Sequence, residues 1–201
     1  MRWQVIHYLK FVAMKQFTLL GLLAVLLAFS ACDDDDDGFQ FDPELMHFDG
    51  ANANAPLLPP GDVEVAAQFG KDAMNFYQGK RIDGIQFFII GVPEVSRMLL
   101  YGKGNGDQPG PIIYQQDITE ELDPNGWNYI TLTQPIDMPS EELWISLQLP
   151  NVGNIQVIGC DAGPAQEGGD WMYEQSDGEW RTFRERSGDN INWNIRASVT
   201  D

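Results

Sequence analysis

Apolar and polar residues alternate in several short stretches of this chain. Between positions 82 and 89 the apolar residues Ile85, Phe87 and Ile89 recur at every second place. Leu143, Ile145, Leu147 and Leu149 share one face of the next clear case, and Trp193, Ile195, Ala197 and Val199 share one near the C-terminus. A period of two marks a strand with one buried face. The pattern predicts strands at 46–49, 63–69, 81–90, 97–101, 112–117, 127–132, 142–148, 156–160, 169–173, 179–183 and 192–199. Turn-forming clusters separate them: Gly104-Asn105-Gly106-Asp107, Asp123-Pro124-Asn125-Gly126, Ser176-Asp177-Gly178 and Gly188-Asp189-Asn190. After residue 32 no ten-residue segment carries a helical period, and 73–78 reads as one helical turn. Many short strands between turns predict an all-β, antiparallel β-sandwich with a jelly-roll-like path. The domain is expected over 46–201, with a Pro-rich loop at 52–60.

The first residues have a different pattern. Met14-Lys15 is followed by an apolar run from Phe17, then Ser30, Ala31 and Cys32. A basic start, an apolar stretch and small residues form a secretory signal, expected over 1–31 with Met14 as a second candidate start. The run is short for a bilayer about 30 Å thick, which takes about 20 residues to span. The small-small-Cys ending resembles the lipobox of bacterial lipoproteins, and this resemblance implies lipidation of Cys32. Asp33, Asp34, Asp35, Asp36 and Asp37 follow. Adjacent carboxylates repel and stay solvated, so 32–45 is expected to be a tether. The acidic run also resembles the surface-export signal of Bacteroidetes-type lipoproteins. That implies an outer-membrane, lipid-anchored protein facing outward.

Charge narrows the partners. The chain carries 12 basic and 30 acidic side chains, a formal charge of -18. Arg2, Lys10 and Lys15 are the only charged residues before position 32, so a chain starting there keeps 9 basic against 30 acidic groups, or -21. Nucleic acid and anionic lipid surfaces both need Lys or Arg to displace counterions and are excluded as partners. After Cys32 only Cys160 remains, so the expected domain has no internal disulfide.

A family resemblance adds to this reading. Tyr77-Gln78-Gly79-Lys80-Arg81-Ile82-Asp83-Gly84-Ile85-Gln86-Phe87 resembles a segment of the adhesin-like jelly-roll modules of gingipain-type and peptidase-associated secreted proteins. Asn125-Gly126-Trp127-Asn128, Glu142-Leu143-Trp144-Ile145, Gly159-Cys160-Asp161-Ala162-Gly163-Pro164, Gly168-Gly169-Asp170-Trp171 and Asn192-Trp193-Asn194-Ile195-Arg196 follow in the family's order. The resemblance spans about residues 46–200 and implies a non-catalytic module. Such modules usually accompany others, whereas here one follows a lipidation signal.

The candidate chemistry is sparse. Cys160 and His47 are the only residues for a thiol–imidazole dyad after the signal, and Cys160 closes the apolar run 155–159, where a small buried residue is expected. Thirty acids offer carboxylate pairs, but no local pattern singles out two. A calcium site is a second expectation. Asp49 and Asn52 offer oxygens in the loop 49–54, and Asp161 and Asp189 lie in other Gly-containing loops. An Asx-rich turn is the alternative. Trp171, Tyr173 and Trp180 flank the Ser-Asp-Gly turn and suit stacking on a sugar ring, with core packing as the alternative. Three function classes remain: a binding or adhesin module for glycan or a surface or host protein, an accessory subunit of an outer-membrane assembly, and a carboxylate-dependent hydrolase.

If Cys32 carries the anchor, Cys32→Ala is expected to abolish lipid labelling and move the protein from the membrane to the soluble fraction. Membrane partitioning unchanged by the substitution would refute the lipid anchor.

Overall fold

A computed structural model describes residues 41–201. The signal segment, Cys32 and the aspartates 33–37 lie outside the described residues. In chain order the elements are β1 (Leu45–His47), β2 (Gly61–Phe69), α1 (Lys71–Phe76), β3 (Arg81–Ile89), β4 (Arg97–Tyr101), β5 (Ile112–Asp117), a 3-10 turn (Thr119–Glu121), β6 (Gly126–Asp137), β7 (Leu143–Val152), β8 (Trp171–Glu174), β9 (Glu179–Thr182), α2 (Phe183–Ser187) and β10 (Ile195–Thr200).

Strands buried on one face must lay that face on another layer, and here the layer is a second sheet. Four strands run in the order β1-β10-β3-β6 and six in the order β5-β4-β7-β2-β8-β9, all antiparallel. The chain passes from sheet to sheet at most connections and stays within one at the β4–β5 and β8–β9 hairpins and at the long β7–β8 connection. This is the expected all-β sandwich, and its two sheets do not close into a barrel. Val63, Val65, Ala67 and Phe69 of β2 and Leu143, Ile145, Leu147 and Leu149 of β7 point inward. They meet Ile85, Phe87, Ile130, Leu132, Ile195 and Ala197 of the other sheet in one apolar core. Each of the valine, leucine, isoleucine and phenylalanine side chains contributes roughly 1.5–3 kcal/mol by leaving water.

β6 and β7 run on past the expected ends at 132 and 148, β10 begins at Ile195 rather than at 192, and three further segments differ from the sequence expectation. Residues 156–160 form no strand. Gln156 bridges Leu57, Ile158 bridges Ile89, and Cys160 bridges both Asn54 and Trp193, so successive residues meet different neighbours and no ladder extends. Residues 179–183 end earlier, because α2 starts at Phe183. Its N-cap Thr182 accepts from the Glu185 amide at 3.2 Å while the Glu185 carboxylate accepts from the Thr182 amide at 3.0 Å. That Thr-x-x-Glu box, with Gly188 left-handed at the C-cap, is legible in the sequence and wins over strand propensity locally. Finally, packing begins before residue 46. Phe41 stacks on Phe76 at 5.3 Å, and the Tyr77 hydroxyl donates to the Asp42 carbonyl at 2.6 Å. Among the described residues no helix is long and apolar enough to cross a membrane.

Candidate binding face and the Asp49 clasp

Alternation that buries one face of β2 and β7 turns Glu64, Ala66 and Gln68, and Trp144, Ser146 and Gln148, to the outer face of the six-stranded sheet. Register then lines them up across the strands. Asp117, Arg97, Gln148, Glu64, Tyr173 and Trp180 form one transverse row from β5 to β9. The neighbouring row holds Leu99, Ser146, Ala66 and Trp171.

Glu64 is the buried centre of the first row, 5% exposed. Its Oε1 accepts from the Tyr101 hydroxyl at 2.7 Å and from the Ser146 hydroxyl, and its Oε2 accepts from Gln148 Nε2 at 3.4 Å. Gln148 Oε1 in turn accepts from Arg97 Nη1 at 3.3 Å. Burial pushes the Glu64 carboxyl above the ordinary carboxylate range, against the pull of its three donors. Burial, with the Glu64 charge added, likewise raises the Tyr101 hydroxyl.

Trp171, Tyr173 and Trp180, the residues expected to stack on a sugar, lie in one packed cluster. Trp144, fully buried, sits 5.1 Å from Trp171 and 5.4 Å from Trp180, and Tyr173 lies 5.9 Å from Trp180. Trp171 and Trp180 are each 9% exposed, so little of either side chain reaches the surface. Two polar clamps hold the cluster: Trp171 Nε1 donates to Gln68 Oε1 at 2.8 Å, and Trp144 Nε1 donates to Glu142 Oε1 at 2.7 Å. Tyr173 and Trp180 wall a cleft of about 360 Å³ whose polar lining is Asp62, Glu64, Arg97 and Gln148. Trp171 and Trp180 also border a second, more open cleft beside Asp107, Arg181 and Glu185.

The residues expected at a calcium site are divided. Asp49, Asn52 and Asp161 lie around Gly159 and Asn194, whereas Asp189 is exposed on the turn after α2. Asp49 is buried. Arg196 Nε donates to both its oxygens, at 3.1 and 3.0 Å, Arg196 Nη2 donates to Oδ2 at 2.9 Å, and Asn194 Nδ2 donates to Oδ2 at 2.6 Å. Asp161 accepts from the amides of Gly50, Gly163 and Asn192 and from Asn192 Nδ2. Donors of the chain itself thus hold both carboxylates. The amide oxygens of Asn52 and Asn194 are buried without a hydrogen-bond partner and point at Gly159, where a Cβ would lie 2.1 and 2.8 Å from them. Two neutral oxygens fall well short of the six to eight that calcium takes.

Cys160 is buried, and burial, with the charges of Asp161 and Asp189 added, pushes its thiol up to about 11. His47 Nδ1 lies 2.8 Å from the Asp49 carbonyl.

No family model and no curated protein matches this sequence. Solved structures do. The clostridial cysteine protease Cwp84 after propeptide cleavage superposes with a TM-score of 0.54 at 12% identity, over 80% of this chain and 41% of that one. The cysteine protease and lectin-like domains of Cwp84, a surface layer associated protein of Clostridium difficile, superpose with a TM-score of 0.51 at 12% identity, over 70% of this chain and 32% of that one. The chain therefore spans less than half the length of either structure. At this identity the likeness shows the fold alone. The sequence had no means of pointing to Glu64, Gln148, Arg97 or Tyr101, because outward polar residues of separate strands become neighbours only through register.

Three measurements follow from these geometries. Removing one partner of a buried ion pair leaves the other unpaired, so Asp49→Ala is expected to cost about 3 kcal/mol in chemical denaturation. Because chain donors hold Asp49 and Asp161, the melting temperatures in chelator and in calcium are expected to coincide; a lower value in chelator would assign the Asn52 and Asn194 oxygens to an ion. Glu64 binds a proton more tightly in the folded state than in the unfolded chain. Stability from this group is therefore lost as pH rises from the ordinary carboxylate range through its raised folded value. Glu64→Gln is expected to remove that slope, so the variant gains stability relative to the natural protein as pH rises, read from denaturation midpoints across pH.

Proposed function

We propose that this protein is a non-catalytic binding module, held at the outer membrane by a lipid on Cys32 and facing outward, that seats a neutral glycan in the cleft beside Glu64. The transverse row from Asp117 to Trp180 carries this reading. It sets hydrogen-bonding groups on the cleft floor and aromatic rings on its wall, both held before a ligand arrives. Sugars offer hydroxyls around an apolar ring face, and this pairing of polar floor and aromatic wall matches them. The strongly acidic chain disfavours polyanionic glycans. Both oxygens of Glu64 accept bonds from the chain, which supports binding rather than hydrolysis by a carboxylate pair. One structural neighbour is a surface-layer-associated protein with lectin-like domains, and this lends support through the shared fold.

Neutral oligosaccharides offered to the full-length protein in detergent are expected to bind with a Kd that high salt leaves unchanged. Gln148→Ala and Tyr173→Ala are each expected to weaken that binding about tenfold, the loss of one good contact. Binding abolished by salt and indifferent to both substitutions would reject the glycan site and favour a protein partner, as in an assembly subunit.

A further inference from the structure

The cleft floor has a built-in direction. Arg97 Nη1 donates to Gln148 Oε1, Gln148 Nε2 donates to Glu64 Oε2, and the Tyr101 and Ser146 hydroxyls donate to Glu64 Oε1. Every bond points toward one carboxylate, an arrangement that requires Glu64 to act only as an acceptor. Oε1 already accepts two hydroxyls, whereas Oε2 accepts a single long bond, so an added proton goes to Oε2. That oxygen then becomes a donor aimed at a donor. The clash is relieved by turning the Gln148 amide over, so that Gln148 Oε1 accepts from Glu64. The turn withdraws the acceptor from Arg97 and faces it with an N–H instead.

We propose that Glu64 is a positioning residue that sets the cleft by its protonation: ionised, it locks Gln148 and Arg97 for ligand; protonated, it turns Gln148 and releases Arg97. The proposal rests on the Glu64 cleft being the binding site. The groups that face Glu64 are Arg97 and Tyr101 from β4, Ser146 and Gln148 from β7, Tyr173 from β8 and Trp180 from β9, with Asp62 on its own strand. The Asp62 carboxylate is occupied by the Asn151 amide at 2.9 Å, and Arg97 reaches Glu64 only through Gln148. Burial holds the switch above the ordinary carboxylate range, which moves its action toward milder acidity. A locked donor pair loses less freedom when it meets a ligand than a released one, so the ionised form binds more tightly. By linkage, ligand capture near the switching pH expels a proton.

Glu64→Gln provides the test, because its amide imitates the protonated acid: the oxygen accepts from Tyr101 and Ser146 and the nitrogen donates to Gln148. The natural full-length protein is expected to bind a neutral oligosaccharide about tenfold more weakly at low pH. Glu64→Gln is expected to show that weak Kd at every pH. Calorimetry in buffers of different ionisation enthalpy should register proton release for the natural protein and none for the variant. Equal Kd values with the same pH profile in both proteins, or no proton release, would overturn the proposal. A second arm needs no ligand. In the free protein the nitrogen shifts of the Gln148 side-chain amide and of Arg97 Nε should titrate in step with the Glu64 carboxyl carbon, and in Gln148→Met the Arg97 signal should stop following it. A Gln148 amide that ignores the Glu64 titration would also overturn the proposal, even if Glu64→Gln fails to fold. Titrating signals without any sugar binding would retain the switch and reject the glycan reading.

Discussion

The antiparallel pairing of β2 with β7, at the middle of the six-stranded sheet, fixes both faces of this protein at once. Val63 lies opposite Leu149, Val65 opposite Leu147 and Ala67 opposite Ile145 on the core side. The same register sets Glu64 opposite Gln148, Ala66 opposite Ser146 and Gln68 opposite Trp144 on the outer side. A slip by one residue would drive the Glu64 carboxylate into the apolar core and expose the leucines to water. The hydrophobic effect that selects the inner register therefore also assembles the outer polar row. The polar chemistry on that face is a by-product of core packing only in its placement.

The outer face behaves as a second, smaller core. Trp144, Trp171 and Trp180 pack with Ala66, Leu99 and Tyr101 beyond the sheet, and the indole nitrogens of Trp171 and Trp144 donate to Gln68 and Glu142. This removes large rings from water and makes the cleft wall rigid. Such packing suits the binding role proposed for the cleft, since ordering cost at the moment of binding subtracts from affinity. The buried Glu64 network adds the same property to the floor.

The opposite end of the chain is secured by charge. Asp49, just after β1, receives Arg196 of β10 in a buried two-oxygen contact, and the Arg196 guanidinium stacks 4.0 Å over Trp127 of β6. Three strands of the four-stranded sheet are tied together where the first and last strands meet. Asp161, Asn192 and Gly50 continue this bonding into the loops around Gly159. Asp49 and Asp161, which read as metal ligands in the sequence, here accept from donors of the chain.

The sequence alone determined the two-layer β architecture, because a strand writes its buried face into the chain at every second position. The runs at Arg81–Ile89 and Leu143–Val152 show this directly. It also determined the strong negative charge, which no fold alters. It marked Trp171, Tyr173 and Trp180 as neighbours, since a hairpin turn joins them. Tertiary structure alone decided that the indoles are packed almost out of water, that Asp49 meets Arg196 across 147 positions, and that 156–160 bridges separate segments instead of forming a strand. It alone decided that Glu64, Gln148 and Arg97 form one row. Periodicity states which way a side chain points, but contact between strands far apart in sequence depends on sheet order and register, and those are settled by the packing of the whole core.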